Sequence, residues 1–222
     1  MSSSVGGKRA LRGRILKCVK SLGREEVTRQ SIVARDVVLP LLTPGLRIAC
    51  FMSMDHEIDT NFVINVLFKQ GNKVFLPRCT DTKKTGQQRL RKEDHPHLTF
   101  HQMDSYNEVI QLKPAGKYKL REPPEEIPAP LPPKLDAILV PGVAFSPVDG
   151  SRIGYGAGYY DDFFKRYQLQ HDNQLPLLIG YALKEQLCEN IPTEPHDYKM
   201  DCIVTGDGKI HWIKQSMSSL PH

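Results

Sequence analysis

Residues 137–161 read AILVPGVAFSPVDGSRIGYGAGYYD. Ala137–Val140 is an unbroken apolar run closed by Pro141-Gly142. Such a run reads as a strand buried on both faces, the habit of a parallel sheet. A glycine-rich loop follows at 150–158, and a helix is expected over 159–169. Strand, glycine loop and helix make one unit of an alternating α/β domain. Downstream, 176–181 (PLLIGY) is the next strand. Cys202–Thr205 and Lys209–Ile213 are two more, joined by the hairpin signal Gly206-Asp207-Gly208. Upstream, Arg47–Met52 (RIACFM) and Lys73–Leu76 read as strands, the second expected to stop at Pro77. Between them a helix fits 61–69, capped by Asp59 or Thr60 and ended by Gly71. Leu98–His101 reads as a short strand and 105–112 as a short helix. The pattern is α/β with a mostly parallel sheet.

The chain opens with two helices. Leu11, Ile15, Val19 and Leu22 recur at the spacing of one helical face over 8–22, with basic residues on the others. A second helix is expected over 25–39, with Glu25 and Glu26 where the dipole favours acids and Pro40 beyond its end. Residues 123–133 (PPEEIPAPLPP) hold six prolines in eleven positions, which neither a helix nor an internal strand tolerates. They read as a stiff surface connection. A ligand for an SH3-type module is the sharper alternative.

At 222 residues the chain fits one domain, with 1–6 flexible. Its 40% apolar share excludes wholesale disorder, and no apolar run approaches a membrane span. The formal charge of +5 is unevenly spread. Residues 1–24 carry seven basic residues and no acid, leaving 23 basic against 25 acidic in the rest. A body-wide face for nucleic acid is therefore not expected, and an RNA-binding module built on the basic N-terminus is a minor alternative. The five cysteines are widely spaced, without a C-x-x-C pair, which argues against a disulfide framework or a zinc ribbon. Free thiols suit a reducing compartment. A cytoplasmic location is expected, with a mitochondrial address as the alternative use of the acid-free start.

The chemistry concentrates at Arg152–Asp161. Gly154, Gly156 and Gly158 clear side chains from a loop entering a helix, whose N-terminus adds partial positive charge. That is the physics of a phosphate cradle, although the spacing is neither the P-loop nor the dinucleotide fingerprint. A flexible turn packed on a sheet is the structural alternative. Asp161 could hold Mg²⁺ beside bound phosphate or simply complement the helix dipole. Tyr159 and Tyr160 could stack on a flat ring or pack in the core. His95, His97 and His101 read as solvated, Cys50 and Cys202 as core thiols, and Trp212 as a packing anchor for the last strand.

Residues 139–161 resemble the signature of the 5-formyltetrahydrofolate cyclo-ligase family, and further landmarks follow in order. They are Lys8-Arg9-x-Leu11-Arg12, Phe51–Met54 with Glu57–Thr60, Phe75–Arg78, and His196-Asp197 with Asp201. The likeness runs from about residue 7 to 206. It implies a monomeric three-layer α/β/α fold like that of ribose-phosphate isomerases and CoA transferases. It also implies an ATP- and Mg²⁺-dependent closure of 5-formyltetrahydrofolate to 5,10-methenyltetrahydrofolate, with ADP and phosphate released. By resemblance, Lys8, Arg9, Arg12, Arg152, Gly154, Gly156, Ala157, Gly158, Tyr159 and Tyr160 would bind ATP. Met52, Glu57, Tyr118, Tyr155, Gly156, Gly158 and Tyr159 would bind the folate. Arg152, Tyr155 and Tyr159 would act in catalysis, and Asp161 and Asp197 would hold Mg²⁺. Arg78 would pair with phosphate or folate carboxylates, or stand exposed at its strand end. Two positions depart from the pattern: Tyr155 stands where the family often has Arg, and Ser146 where it commonly has Asp. The alternatives are a non-catalytic folate- or nucleotide-binding regulator and a sugar-phosphate isomerase-type enzyme on the same fold.

Overall fold

The computed structural model describes residues 2–81, 96–115, 119–126 and 130–213. Two helices, α1 (Ser2–Lys20) and α2 (Arg24–Val38), precede β1 (Arg47–Ala49), α3 (Asn61–Lys69), β2 (Lys73–Thr80) and β3 (His97–Met103). A short helix, Tyr106–Gln111, leads to a small hairpin of β4 (Pro114–Ala115) and β5 (Leu120–Arg121). Then come β6 (Ala137–Val140), a second hairpin of β7 (Ala144–Phe145) and β8 (Arg152–Ile153), and the helix Tyr159–Gln170. The chain closes with β9 (Leu177–Ala182), β10 (Cys202–Thr205) and β11 (Lys209–Trp212).

Seven strands form one sheet in the order β11-β10-β9-β6-β1-β2-β3. The five inner strands are parallel, and the edge strands β3 and β11 are antiparallel to their neighbours. Strand alternation sorts the side chains into two cores. Ile48, Val74, Leu139, Ile179 and Val204 face α1, α2 and α3, whose Leu11, Ile15, Val19, Val38 and Leu67 are buried against them. Ala49, Phe75, Ile138, Leu178 and Ile203 face Phe163, Phe164 and Tyr167 of the helix Tyr159–Gln170. Helices thus cover both faces, and the expected three-layer α/β/α architecture is what forms. Gly180 lets the Phe145 ring lie on the sheet, since a Cβ there would come within 2.8 Å of that ring.

The order places the functional cleft. From β1 the chain moves one way to β2 and β3, and from β6 the other way to β9 and β10. β1 and β6 therefore flank a topological switch point, where open α/β sheets bind ligands beyond the strands' carboxyl ends. The residues just past those ends, Phe51, Met52 and Pro141, line the cleft described below.

Three local expectations are corrected. β2 does not stop at Pro77 but runs through it to Thr80, paired with β3. The Phe75 carbonyl faces β1 and accepts from Cys50 N–H at 2.9 Å. Pro77, two residues on, points the same way, past the end of β1, so its missing N–H forfeits no ladder bond. His97 and His101 are buried rather than solvated. His101 bonds Thr99 Oγ1 through Nε2 at 2.9 Å and Glu126 through Nδ1 at 3.0 Å. His95 lies outside the described residues. Trp212 is 39% exposed on the edge strand β11 and anchors no core. Cys50 and Cys202 are buried as expected, and burial pushes the Cys202 thiol up to about 12. Among the described residues, no helix is long and apolar enough to cross a membrane.

Candidate active site

A cleft of about 1490 Å³ opens at the switch point. Its lining comes from α1, the β1–α3 connection, β2 and β3 at Pro77, Cys79 and Leu98, the segment 120–122, Pro141, the loop and helix after β8, and the turn at 194–198. On α1, Lys8 and Arg12 are one turn apart and share a face, while Leu11 and Ile15 bury the other. The β7–β8 hairpin fixes Arg152 through its pairing with Phe145. Gly158, at φ 69°, turns the chain into the helix, a left-handed conformation that glycine adopts without strain. The first turn of that helix then borders the cleft with Tyr159, Tyr160, Asp161 and Asp162.

The ionic groups interlock. Lys8 Nζ lies 2.7 Å from Asp197 Oδ2 and 2.9 Å from Glu194 Oε2. Burial lowers the Lys8 pKa, but its bonds to Asp197 and Glu194 outweigh that, so the ammonium is held above its ordinary value. Arg12 Nε donates to the Gly154 carbonyl at 2.8 Å, tying α1 to the glycine loop. Arg152 donates to Pro141 O at 3.1 Å and to Asp161 Oδ2 at 3.0 Å. The other Asp161 oxygen accepts Tyr198 N–H at 3.1 Å. The guanidinium also lies over the Tyr160 ring, 5.6 Å from its centroid, a favourable cation–π placement.

In the same cleft Glu57 is buried, accepting Met54 N–H at 2.9 Å and Tyr155 O–H at 3.1 Å. Tyr155 is 49% exposed, but its hydroxyl reaches inward to this carboxylate. Desolvation raises Glu57 to about 7, against the smaller opposing effect of those two bonds. Its unfolded value is near 4.5, so between about 4.5 and 7 the native state binds the extra proton. Stability is then gained as pH falls through 7 and lost as it rises, by about 3 kcal/mol at most. Glu57→Gln is expected to flatten this part of the pH–stability curve and to raise the melting temperature at pH 8. An unchanged slope between pH 5 and 8 would contradict the assignment.

Of the residues singled out from sequence, Lys8, Arg12, Met52, Glu57, Arg152, Gly154 through Asp161, and Asp197 all line this one cleft. Arg9 does not; it is exposed on α1 outside the cleft lining. Tyr118 lies outside the described residues. Arg78 is half-buried rather than exposed, lies outside the cleft lining and donates to Pro123 O at 2.6 Å, pinning the proline-rich segment. Asp161 and Asp197 sit in separate clusters. Asp197 joins Glu194 and His196, whose donor atoms all lie within 4.8 Å of one another. The two carboxylates suit a hard divalent cation such as Mg²⁺, for which the imidazole is no usual ligand, and the Lys8 ammonium already rests between the carboxylates. Glu194 escaped the sequence reading. Its signal was the run Glu194-Pro195-His196-Asp197, a turn that folds two carboxylates together.

Comparison with known proteins agrees with this geometry. The model of the 5-formyltetrahydrofolate cyclo-ligase family matches residues 4–206. The chain is 47% identical over 210 residues to 5-formyltetrahydrofolate cyclo-ligase of Saccharomyces cerevisiae, covering 93% of this chain and 99% of that protein. It is 33% identical to the mouse 5-formyltetrahydrofolate cyclo-ligase, covering 90% and 94%. The NMR structure of Aquifex aeolicus 5,10-methenyltetrahydrofolate synthetase superposes with a TM-score of 0.70 over 97% of this chain and 96% of that one. At 24% identity, that likeness speaks for the fold.

Proposed function

The chain belongs to the 5-formyltetrahydrofolate cyclo-ligase family, and from that membership we propose that it closes 5-formyltetrahydrofolate to 5,10-methenyltetrahydrofolate at the expense of ATP. One observation carries the reading onto these residues: a single cleft joins the cationic end at Lys8, Arg12 and Arg152 to the buried carboxylate of Glu57. A triphosphate and a pterin have complementary places there.

The obstacle in the reaction is the formyl oxygen, which cannot depart as oxide. Transfer of the γ-phosphoryl group breaks its bond to the β-phosphate oxygen and forms a bond to the formyl oxygen, releasing ADP. N10 then attacks the formyl carbon and loses its proton, and the C–O bond breaks with phosphate leaving. Positioning and charge stabilisation supply most of the catalysis in such transfers. Arg152 is held from behind by Pro141 O and Asp161, so its charge is preorganised towards phosphate oxygens. Lys8 and Arg12 bring the second wall of positive charge, and the glycine loop allows close approach of backbone to ligand. Glu57 accepts N–H bonds from the pterin, a role two carboxylate oxygens can fill together. Tyr155 must then release Glu57, so arrival of the pterin frees the loop that borders the phosphates. Tyr159 borders both ligands.

Glu194 and Asp197 would hold Mg²⁺ through their carboxylates. Bound there, the ion would neutralise phosphate charge. A monomer is the proposed unit. A cytoplasmic location belongs to the same reading.

Lys8→Ala tests the division of the cleft. Loss of one charge-assisted phosphate contact is expected to raise the ATP KM by about tenfold and to leave the folate KM unchanged. A rise confined to the folate KM would contradict it.

A further inference from the structure

One polar group in the cleft has no partner. Tyr160 is half-buried and lines the cleft together with Arg152. Its hydroxyl oxygen is closed to water, and among the described residues no group bonds it. A buried donor without a partner costs stability, so its retention calls for a physical reason. Burial raises the pKa of this hydroxyl well above the ordinary phenol value, with Cys50 and Glu57 adding to the effect and Arg152 opposing it. The hydroxyl therefore keeps its proton and can act as a donor.

The ring that carries it is held from several sides. Phe100 and Phe164 pack against it, with centroids 6.3 and 5.9 Å away. The Arg152 guanidinium lies over it, 5.6 Å from its centroid. At the other end of the side chain, the hydroxyl is near enough to Glu57 for that carboxylate's charge to act on it. Tyr160 thus links the cation assigned to phosphate with the carboxylate assigned to the pterin. Its backbone N–H, in the first turn of the helix Tyr159–Gln170, can serve phosphate, as the family resemblance implies. The hydroxyl is the part left without a role.

The pyrimidinone edge of a pterin presents its 2-amino group, N3–H and C4 carbonyl side by side. Glu57 takes the two N–H donors in the reading above, so the next polar atom along that edge is an acceptor. We propose that the Tyr160 hydroxyl donates a hydrogen bond to the C4 carbonyl oxygen as the pterin enters and Tyr155 gives up Glu57. Tyr160 is then a second residue that reads the pterin, and it orients the adjacent N5 and its formyl group towards Arg152. The formyl oxygen is the poorer acceptor, because it must keep an electron pair for the γ-phosphorus. The inference rests on the folate reading and deepens it at the same site.

The test is Tyr160→Phe, which deletes the hydroxyl alone, with Tyr181→Phe as its control. The Tyr181 hydroxyl is also buried without a partner, but Tyr181 lies outside the cleft lining. Both variants should melt at or above the temperature of the intact protein, since each loses an unpaired buried donor. Tyr160→Phe should weaken binding of 5-formyltetrahydrofolate, measured by calorimetry without ATP, by about tenfold. The folate KM should rise in parallel, with the effect falling on KM rather than kcat and the ATP KM constant. Tyr181→Phe should change no binding or kinetic constant. Unchanged folate affinity in the Tyr160→Phe variant overturns the proposal. A fall in kcat at unchanged folate affinity also overturns it, because the hydroxyl would then act on the reacting oxygen. A lower melting temperature for Tyr160→Phe overturns it as well, by showing the hydroxyl bonded within the protein. An intact protein that neither binds 5-formyltetrahydrofolate nor closes its ring overturns the folate reading itself.

Discussion

Replacing Arg152 by alanine is expected to lower turnover by about 10²–10³-fold, the cost of removing one preorganised donor from a developing charge. Arg152 is buried and its guanidinium spans Pro141 O and Asp161 Oδ2. Alanine would strip Asp161 Oδ2 of this donor, while Oδ1 keeps Tyr198 N–H at 3.1 Å. Breaking such a pair one-sidedly typically costs about 3–5 kcal/mol of stability. Arg152→Lys separates the two effects. It keeps a positive charge but cannot reach two acceptors from one planar fork. Stability should therefore recover in part while turnover stays low. Turnover equal to that of the unaltered chain in a folded Arg152→Ala variant would remove Arg152 from the chemistry.

Asp197→Ala is expected to cut turnover by about a thousandfold at fixed Mg²⁺, since a catalytic cation is worth several kcal/mol of charge stabilisation. Asp197 holds the turn through Glu194 N–H at 2.8 Å, faces Lys8 at 2.7 Å and completes the donor set with Glu194 and His196. Its loss removes a ligand and loosens the turn that presents a second. Binding of Mn²⁺ as a paramagnetic probe, read without any turnover, should weaken in parallel. Full Mn²⁺ affinity in the variant would move the metal to Asp161. Asp161→Ala with intact Mn²⁺ affinity would show that Asp161 acts through Arg152.

The sheet was legible because apolar runs with clean ends, such as Ala137–Val140, carry their own boundaries. The switch-point site was legible because the glycine loop and the Lys8 helix each bear a chemical signature. What escaped depends on neighbours distant in sequence. Pro77 reads as a strand breaker until β1 is known to end before it. His97 and His101 read as solvated because the strand that buries them looks polar from its neighbours, and the covering residue Glu126 is 25 positions away from His101. Trp212 reads as an anchor, yet an antiparallel edge strand with one neighbour leaves it open. Arg78 reads as exposed at its strand end, but it is half-buried and donates to a backbone carbonyl 45 residues on. The bond between Tyr155 and Glu57 joins positions 98 residues apart, and no local pattern encodes it.

Whether this cleft closes a folate ring with ATP is decided by mixing purified protein with 5-formyltetrahydrofolate, ATP and Mg²⁺ and following the near-UV absorbance of the methenyl product. Absorbance is expected to grow catalytically, with one ADP formed per ring closed, and not to grow when ATP is omitted. No methenyl product, even at protein concentrations equal to those of the folate, would refute the proposed activity.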